Sequence, residues 1–209
     1  MSGMTIRLTA LVVAVSASVA CNNVGAGSAA EGSATVNGVI NGLALQATDA
    51  IAANVMVPIQ GTTNTASSGL VTIASNGGLC ADVNANKEPK NTQYLFLAFT
   101  DLNLATGQTS TPTSPGVYVV SGTPQSKWAV AFYNQTDASC HNVAGASETA
   151  VSGTITLSSV NNGSYSGSFD LTMGSGASAA ADHVTGSFNA PNCPAVAVFL
   201  SQNRTSTCF

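Results

Sequence analysis

Four oxygen-bearing side chains alternate along one polar segment with the spacing of a calcium loop. They are Asp82, Asn84, Asn86 and Glu88. Oxygen ligands at alternate positions open the loops that bind Ca²⁺ in EF-hands. The sixth position is Lys87, where such a loop needs Gly, and the twelfth is Gln93, where it needs a bidentate Glu. The four residues are therefore only a calcium candidate within an expected polar loop, and we predict no metal or other cofactor.

Histidine occurs twice, at His141 and in the pair Asp182-His183. A serine hydrolase needs a histidine and a carboxylate that converge on a nucleophile beside an oxyanion hole. The chain contains neither the Gly-x-Ser-x-Gly turn of α/β-hydrolases nor the His-Glu-x-x-His helix of zinc proteases. Asp182-His183 follows a run of Gly, Ser and Ala, which is typical of a solvated turn before a strand. We predict no catalytic residues, and a hydrolase stays an alternative function.

Aromatic residues are concentrated in the segment Lys127–Gln135. Trp128 and Phe132 alternate with Val130, so we expect these three side chains to face the core and Tyr133 to face the other way. A carbohydrate-binding module would instead expose Trp128 or Tyr133 in a groove, where ring faces can stack on a sugar. Packing in the core is the predicted state. Binding of a carbohydrate, or of a small apolar ligand inside a barrel, stays an alternative.

The chain has five cysteines, and an odd number in an exported protein leaves one cysteine outside the disulfides. They are Cys21, Cys80, Cys140, Cys193 and Cys208. If Cys21 does not form a disulfide, the remaining four cysteines can form two disulfides in three ways. Cys193 and Cys208 are close in sequence, so the favoured pairing joins them and leaves Cys80 with Cys140. Each bridge would contribute about 2–4 kcal/mol to stability.

The N-terminal segment has the organisation of a signal peptide. One cation, Arg7, precedes a small-apolar run from Leu8 to Val19, which is shorter than the roughly 20 residues of a membrane span. The run ends in Ser-Val-Ala-Cys at 18–21, which resembles the lipobox of bacterial lipoproteins, although that family usually has Leu where this chain has Ser18. The resemblance implies a cleaved signal peptide at 1–20 and lipidation of Cys21.

The Gly/Ala/Ser-rich stretch after this cysteine, up to residue 33, is typical of a flexible tether. One all-β domain over 34–209 would follow it. By the same resemblance, Asn22 is compatible with sorting to the outer membrane. The expected location is therefore the cell envelope, with the membrane as partner through the lipid. Secretion of an unlipidated protein is the alternative.

The composition excludes one class of partner. Charged residues make up 7% of the 209 residues and apolar residues 44%, whereas average soluble domains are about 25% charged. The five cations are scattered along the chain and the net charge is −4. Because a nucleic-acid interface needs several cations on one face, we predict no nucleic-acid partner.

Period-2 alternation recurs downstream of the tether and predicts strands. It is clearest over 165–173, with flanking segments at 151–157 and 184–188 that would complete a three-stranded meander. An inward-facing Gly in each of these segments leaves room for a neighbouring aromatic ring or lets the strand bend. Further strands are expected at 55–59, 69–75, 94–104, 116–121, 127–135 and 195–200. Segment 41–53 is consistent with a strand or a helical turn. Roughly ten short strands predict an antiparallel β-sandwich or an up-and-down barrel.

The C-terminal motifs Gly-Ser-Phe-Asp-Leu-Thr at 167–172 and Gly-Ser-Phe-Asn-Ala-Pro-Asn-Cys at 186–193 resemble the ends of uncharacterised bacterial envelope lipoproteins. The resemblance extends to Val-Asn-Gly-Val-Ile-Asn-Gly at 36–42 and Pro-Gly-Val-Tyr at 115–118. It implies an all-β fold and an envelope location, and it carries no activity. The expected function is therefore a non-enzymatic structural or binding role at the envelope.

Overall fold

The computed structural model describes residues 31–58, 65–174, 181–202 and 206–209. The predicted signal peptide, Cys21, most of the predicted tether and Ile59 lie outside these residues. The strands are β1 (Ser33–Asn37), β2 (Asp49–Pro58), β3 (Thr65–Ala74), β4 (Lys87–Glu88), β5 (Gln93–Leu102), β6 (Thr109–Ser110), β7 (Gly116–Val120), β8 (Lys127–Gln135), β9 (Glu148–Asn161), β10 (Ser164–Gly174), β11 (Asp182–Ala190) and β12 (Thr207–Cys208). The helices are α1 (Leu79–Asn84) and α2 (Pro194–Gln202). The all-β prediction is confirmed.

Ten strands form one sheet in the order β1-β11-β10-β9-β7-β8-β5-β3-β2, with β6 paired to β5. Strand β2, at one end of this order, meets the segment that follows β11, the neighbour of β1 at the other end, because the Ala52 N–H donates to the Pro191 carbonyl at 2.9 Å and the Cys193 N–H donates to the Ala52 carbonyl at 2.7 Å. The sheet is therefore a nearly closed barrel. It differs from a simple up-and-down barrel because β7 lies between β8 and β9 and runs parallel to β8.

The predicted meander is present as β9, β10 and β11. Its first turn contains Asn162 and Gly163, both with positive φ, 47° and 84°, the geometry in which Asn-Gly turns close β-hairpins. Two of the three inward glycines have the expected aromatic neighbour, whereas Gly153 lies against the backbone of Asp170 and Leu171 on β10. Gly167 pairs with Phe188 and Gly186 pairs with Phe169 on the adjacent strand, so each ring lies over the partner strand's glycine. These two reciprocal Gly–Phe pairs let the sheet curve without leaving a void.

Side chains fill the interior of the barrel. The largest fully buried ones are three tyrosines and a phenylalanine, namely Tyr118, Tyr133, Tyr165 and Phe99. Ile40 and Leu45, from the connection between β1 and β2, are also buried in this core. The interior of the barrel is therefore a packed core.

The orientation of β8 is opposite to the prediction. Ala129, Ala131 and Tyr133 are buried in the barrel core, whereas Phe132 is 37% exposed on the outer surface. Trp128 is half-buried, and its indole N–H donates to the Ser121 carbonyl at 2.9 Å. The interior already holds several rings from other strands, so β8 contributes two alanines and a single ring, that of Tyr133, and directs Trp128, Val130 and Phe132 to its other face.

The predicted disulfide pairing and the predicted strand at 195–200 are both wrong. The bridges are Cys80–Cys193 and Cys140–Cys208, with sequence separations of 113 and 68 residues. Residues 195–200 belong to α2, which begins with a proline, a residue pre-set for the first helical position. Because α2 packs against α1 on the outer face of the barrel, Cys193 lies beside Cys80.

Candidate functional site

An apolar groove lies between the two helices and the outer face of the barrel on which they pack. Its volume is about 250 Å³. The barrel side contributes Tyr94 and Phe96 of β5, and the helices contribute Val83, Val196 and Phe199. A second apolar cluster, centred on the outer faces of β2 and β3 and on the Cys80–Cys193 bridge, lies directly beneath and holds the helices in place.

Three aromatic rings form a row along the barrel side of the groove. Phe96 lies between the other two, with its centroid 5.7 Å from that of Tyr94 and 4.5 Å from that of Phe132. The interplanar angles are 25° and 15°, so the rings are stacked. Such a row extends the apolar surface from the groove to the exposed Phe132.

Polar side chains also contribute to the lining of the groove, namely Thr72, Asp82, Lys87, Glu88, Asn134, Thr136 and Ser206. Burial raises the pKa of the Asp82 carboxyl, while the nearby positive charge of Lys87 opposes the increase. Burial also raises the pKa of Tyr94, and the negative charge of Glu88 adds to this effect, so the phenol stays protonated. The groove thus combines a mostly apolar lining with a smaller number of groups that can form hydrogen bonds.

The calcium candidate does not form a loop. Asp82 and Asn84 belong to α1, and the Asn84 amide contacts Cys80 Sγ at 3.8 Å. Glu88 instead accepts a hydrogen bond from the Ser206 hydroxyl at 2.6 Å. Alternate residues of a helix point in different directions, so α1 cannot present the alternating ligands that the sequence suggested. No cluster of three metal-ligating residues occurs in the described ranges.

The two histidines lie on the surface without a surrounding catalytic arrangement. His183 Nε2 is 2.8 Å from Asp170 Oδ1, and both side chains are 63% exposed. His141 belongs to a turn in which its backbone N–H donates to Asp137 at 3.0 Å. The hydrogen bond from the Ser139 N–H, and then the one from the His141 N–H, lower the pKa of the Asp137 carboxyl. Neither histidine has a serine hydroxyl among the contacts found in the described residues.

A second opening of about 550 Å³ lies beside β5, β6 and the start of β8. Its main polar groups bind one another. Lys127 Nζ and the Tyr118 hydroxyl both donate to Asp101 Oδ1, each at 3.0 Å. Burial raises the pKa of Tyr118, and its hydrogen bond to Asp101 raises it further. Because these charges are already paired, this cleft is the weaker candidate for a ligand site.

From the sequence, Asp82 and Glu88 were only a calcium candidate, and the apolar residues that form the groove were not predicted. A signal was available in β5, where Tyr94, Phe96 and Ala98 interleave with Leu95, Leu97 and Phe99 and make both faces of the strand apolar. A strand with two apolar faces is covered on both sides. Its outer face therefore needed a covering element, which the structure supplies as α1 and α2.

No helix of the described residues is long and apolar enough to span a membrane. No protein-family model, no curated protein and no solved structure matches the chain. Inference about its function therefore depends on the chemistry of the groove.

Proposed function

We propose that the chain is an exported bacterial lipoprotein, anchored at the cell envelope through Cys21, whose barrel domain is a non-enzymatic binding module. The groove beside α1 and α2 is its ligand site. The ligand is a small molecule with a flat apolar ring. The observation that carries this proposal is the apolar groove with its row of stacked rings, on a barrel whose interior is occupied by side chains.

The size and lining of the groove favour this ligand class. Sites for drug-sized ligands are roughly 300–1,000 Å³, so a groove of about 250 Å³ fits a smaller molecule. A sugar would need hydrogen-bonding groups all around its ring, whereas most of the residues that line this groove, among them Val83, Phe96 and Phe199, are apolar. An apolar ring suits it better than a carbohydrate.

Two features support export and anchoring. Two disulfides among the described residues favour an oxidising compartment. These bridges use four of the five cysteines and leave Cys21, which follows the signal-peptide-like segment, as the residue available for a lipid. Outer-membrane sorting belongs to the same proposal, with secretion as the alternative.

Indole is a suitable probe of the groove, followed by chemical shifts of the backbone amides. We expect the largest shifts in α1, α2 and β5. Leu200 lines the groove and Val117 lies on β7, and both are 51% exposed. Leu200→Lys is expected to weaken indole binding about tenfold, whereas Val117→Lys leaves it unchanged. Tenfold is about 1.4 kcal/mol, which is the burial of roughly two methylene groups.

A second variant tests the same site by filling it. Val83→Trp places a ring in the groove and is expected to abolish the shifts of α2 amides on addition of indole. Equal binding by the parent protein and by the two groove variants would contradict the proposal. So would shifts located at the cleft beside Asp101 and Lys127.

The anchor has its own test, which is mass spectrometry of the N-terminal peptide of protein purified from its host's membranes. We expect a diacylglyceryl-modified peptide that begins at Cys21. Cys21→Ser should move the protein from the membrane fraction to the soluble fraction. An unmodified N-terminus would leave the groove proposal standing and would replace the lipoprotein by a secreted protein with an odd thiol.

A further inference from the structure

One end of the groove is closed by residues from two distant parts of the chain. Lys87, Glu88 and Pro89, in the segment after α1, contribute to the lining of the groove, and so does Ser206 near the C-terminus. The two parts are in direct contact, because the Ser206 hydroxyl donates to Glu88 Oε2 at 2.6 Å. These four residues are called the end wall of the groove below.

Contacts with the barrel place the end wall beyond Tyr94. Thr136, which also lines the groove, donates from its hydroxyl to the Pro89 carbonyl at 3.3 Å. The N–H of Thr136 donates to the carbonyl of Thr92, two residues before Tyr94, at 2.9 Å. The end wall therefore adjoins the start of β5, whereas Phe96 lies further along that strand. A ligand beside Phe96 would meet the wall if it extended past Tyr94.

A short C-terminal strap, residues 206–209, is joined to this wall. Its strand β12 pairs in parallel with β4, which contains two of the wall residues. The Thr207 N–H donates to the Asn86 carbonyl at 2.8 Å, and the Phe209 N–H donates to the Glu88 carbonyl at 3.2 Å. The strap thus supplies one residue of the wall and supports the backbone of the others.

The strap depends on a disulfide for its attachment. Thr207, Cys208 and Phe209 are all exposed, so few apolar contacts hold the strap against β4. A two-residue ladder with exposed side chains opens locally at a low free-energy cost. The Cys140–Cys208 bridge adds a covalent link to a separate turn, in which the Cys140 N–H donates to the Asp137 carbonyl at 3.1 Å. This bridge therefore keeps the strap on β4.

We propose that the Cys140–Cys208 bridge controls the length of ligand that the groove accepts, by holding the strap as part of the end wall. The inference rests on the proposed function of the groove as a ligand site. With the bridge formed, the groove admits a small ring system such as indole. When the bridge opens, the strap leaves β4, Ser206 leaves the lining, and a longer planar molecule can extend past Tyr94. Opening takes two electrons and two protons from a dithiol, which becomes a disulfide while the two cysteines become thiols.

The dye N-phenyl-1-naphthylamine tests the strap, because it is uncharged, longer than indole and fluorescent in apolar surroundings. We expect Cys140→Ala/Cys208→Ala to bind this dye about tenfold more tightly than the bridged parent. Indole affinity should be the same in both proteins, because indole does not extend to the end wall. The parent protein treated with a dithiol that leaves Cys80–Cys193 intact should match the double variant. This treatment repeats the test without any substitution.

Two further variants separate release of the strap from a general loosening of the protein. Gly186→Ala strains the barrel between β11 and β1, because a Cβ there would lie 2.0 Å from the Thr35 carbonyl oxygen. It should leave dye affinity at the value of the bridged parent. Val83→Trp, added to Cys140→Ala/Cys208→Ala, places a ring in the groove and should abolish dye binding.

The outcomes distinguish the strap from the groove itself. Equal dye affinity in the bridged and opened proteins would overturn the proposal and leave the groove as a site for indole. Dye binding that survives Val83→Trp, or that is as tight in Gly186→Ala as in the opened protein, would also overturn it, since the dye would then report exposed apolar surface elsewhere. A parent protein that binds no indole would overturn the proposed function and this inference together.

Discussion

Gly186→Ala should lower the stability of the folded domain by about 3 kcal/mol or more. A Cβ on Gly186 would lie 2.0 Å from the Thr35 carbonyl oxygen and 2.4 Å from Phe169 Cζ. Both neighbours are fixed, since Thr35 belongs to the adjacent strand β1 and the Phe169 ring is packed in the core. Thermal unfolding measures the effect, and about 3 kcal/mol corresponds to roughly 6–12 °C in a domain of this size.

Gly122→Ala is the matched control, because a Cβ there meets nothing within 4 Å. Its effect should be within about 0.5 kcal/mol of zero. Adding Phe169→Leu to Gly186→Ala should restore only part of the loss, since the contact with the Thr35 carbonyl remains. A Gly186→Ala protein as stable as the parent would show that the strands can separate locally, and that close approach does not fix this glycine.

The glycine pattern illustrates which features of this fold can be predicted from sequence. Alternation and turn residues act over a few neighbouring positions, so the residue pattern of 151–188 is sufficient to predict the meander with its inward Gly and Phe residues. A Gly two residues before a Phe, in two successive strands, implies reciprocal cross-strand pairs once the strands are antiparallel.

Features that depend on distant parts of the chain were not predictable in the same way. The side of β8 that faces inward depends on how much interior volume Tyr118, Tyr165 and Phe99 already occupy. Alternation within β8 is the same for either orientation, and the larger side chains favoured the wrong one. The disulfide pairing depends on α2 returning to the outer face of β2, a contact between residues more than a hundred positions apart.

The groove depends on the same contact between α2 and β2. Sequence patterns over a few neighbouring residues therefore could not predict which residues line it. Apolar residues in α2 can form a strand or a helix, and periodicity over six residues does not separate the two. Pro194 at the first helical position favours the helix. The side chains of Tyr94 and Phe96 line a groove only because α1 and α2 form its opposite side.

Removing the bridge between these helices is the second change for which we expect a large effect. The double variant Cys80→Ala/Cys193→Ala opens a loop of 113 residues, and the chain-entropy relation gives a loss of about 4.8 kcal/mol. The corresponding figure for Cys140→Ala/Cys208→Ala, with 68 residues, is about 4.4 kcal/mol. Denaturant unfolding is expected to give similar losses for both variants, so stability alone does not distinguish the two bridges.

Their surroundings do distinguish them. Cys80 and Cys193 are 6% and 1% exposed and lie in the cluster beneath the groove, whereas Cys208 is exposed near the C-terminus. In native conditions a reductant should therefore open Cys140–Cys208 first, which alkylation and mass spectrometry can follow. Indole binding should survive that reduction and be lost in Cys80→Ala/Cys193→Ala, because the first bridge holds α1 against α2. Retention of indole affinity in this variant would mean that packing alone positions the helices and that the groove does not depend on the disulfide.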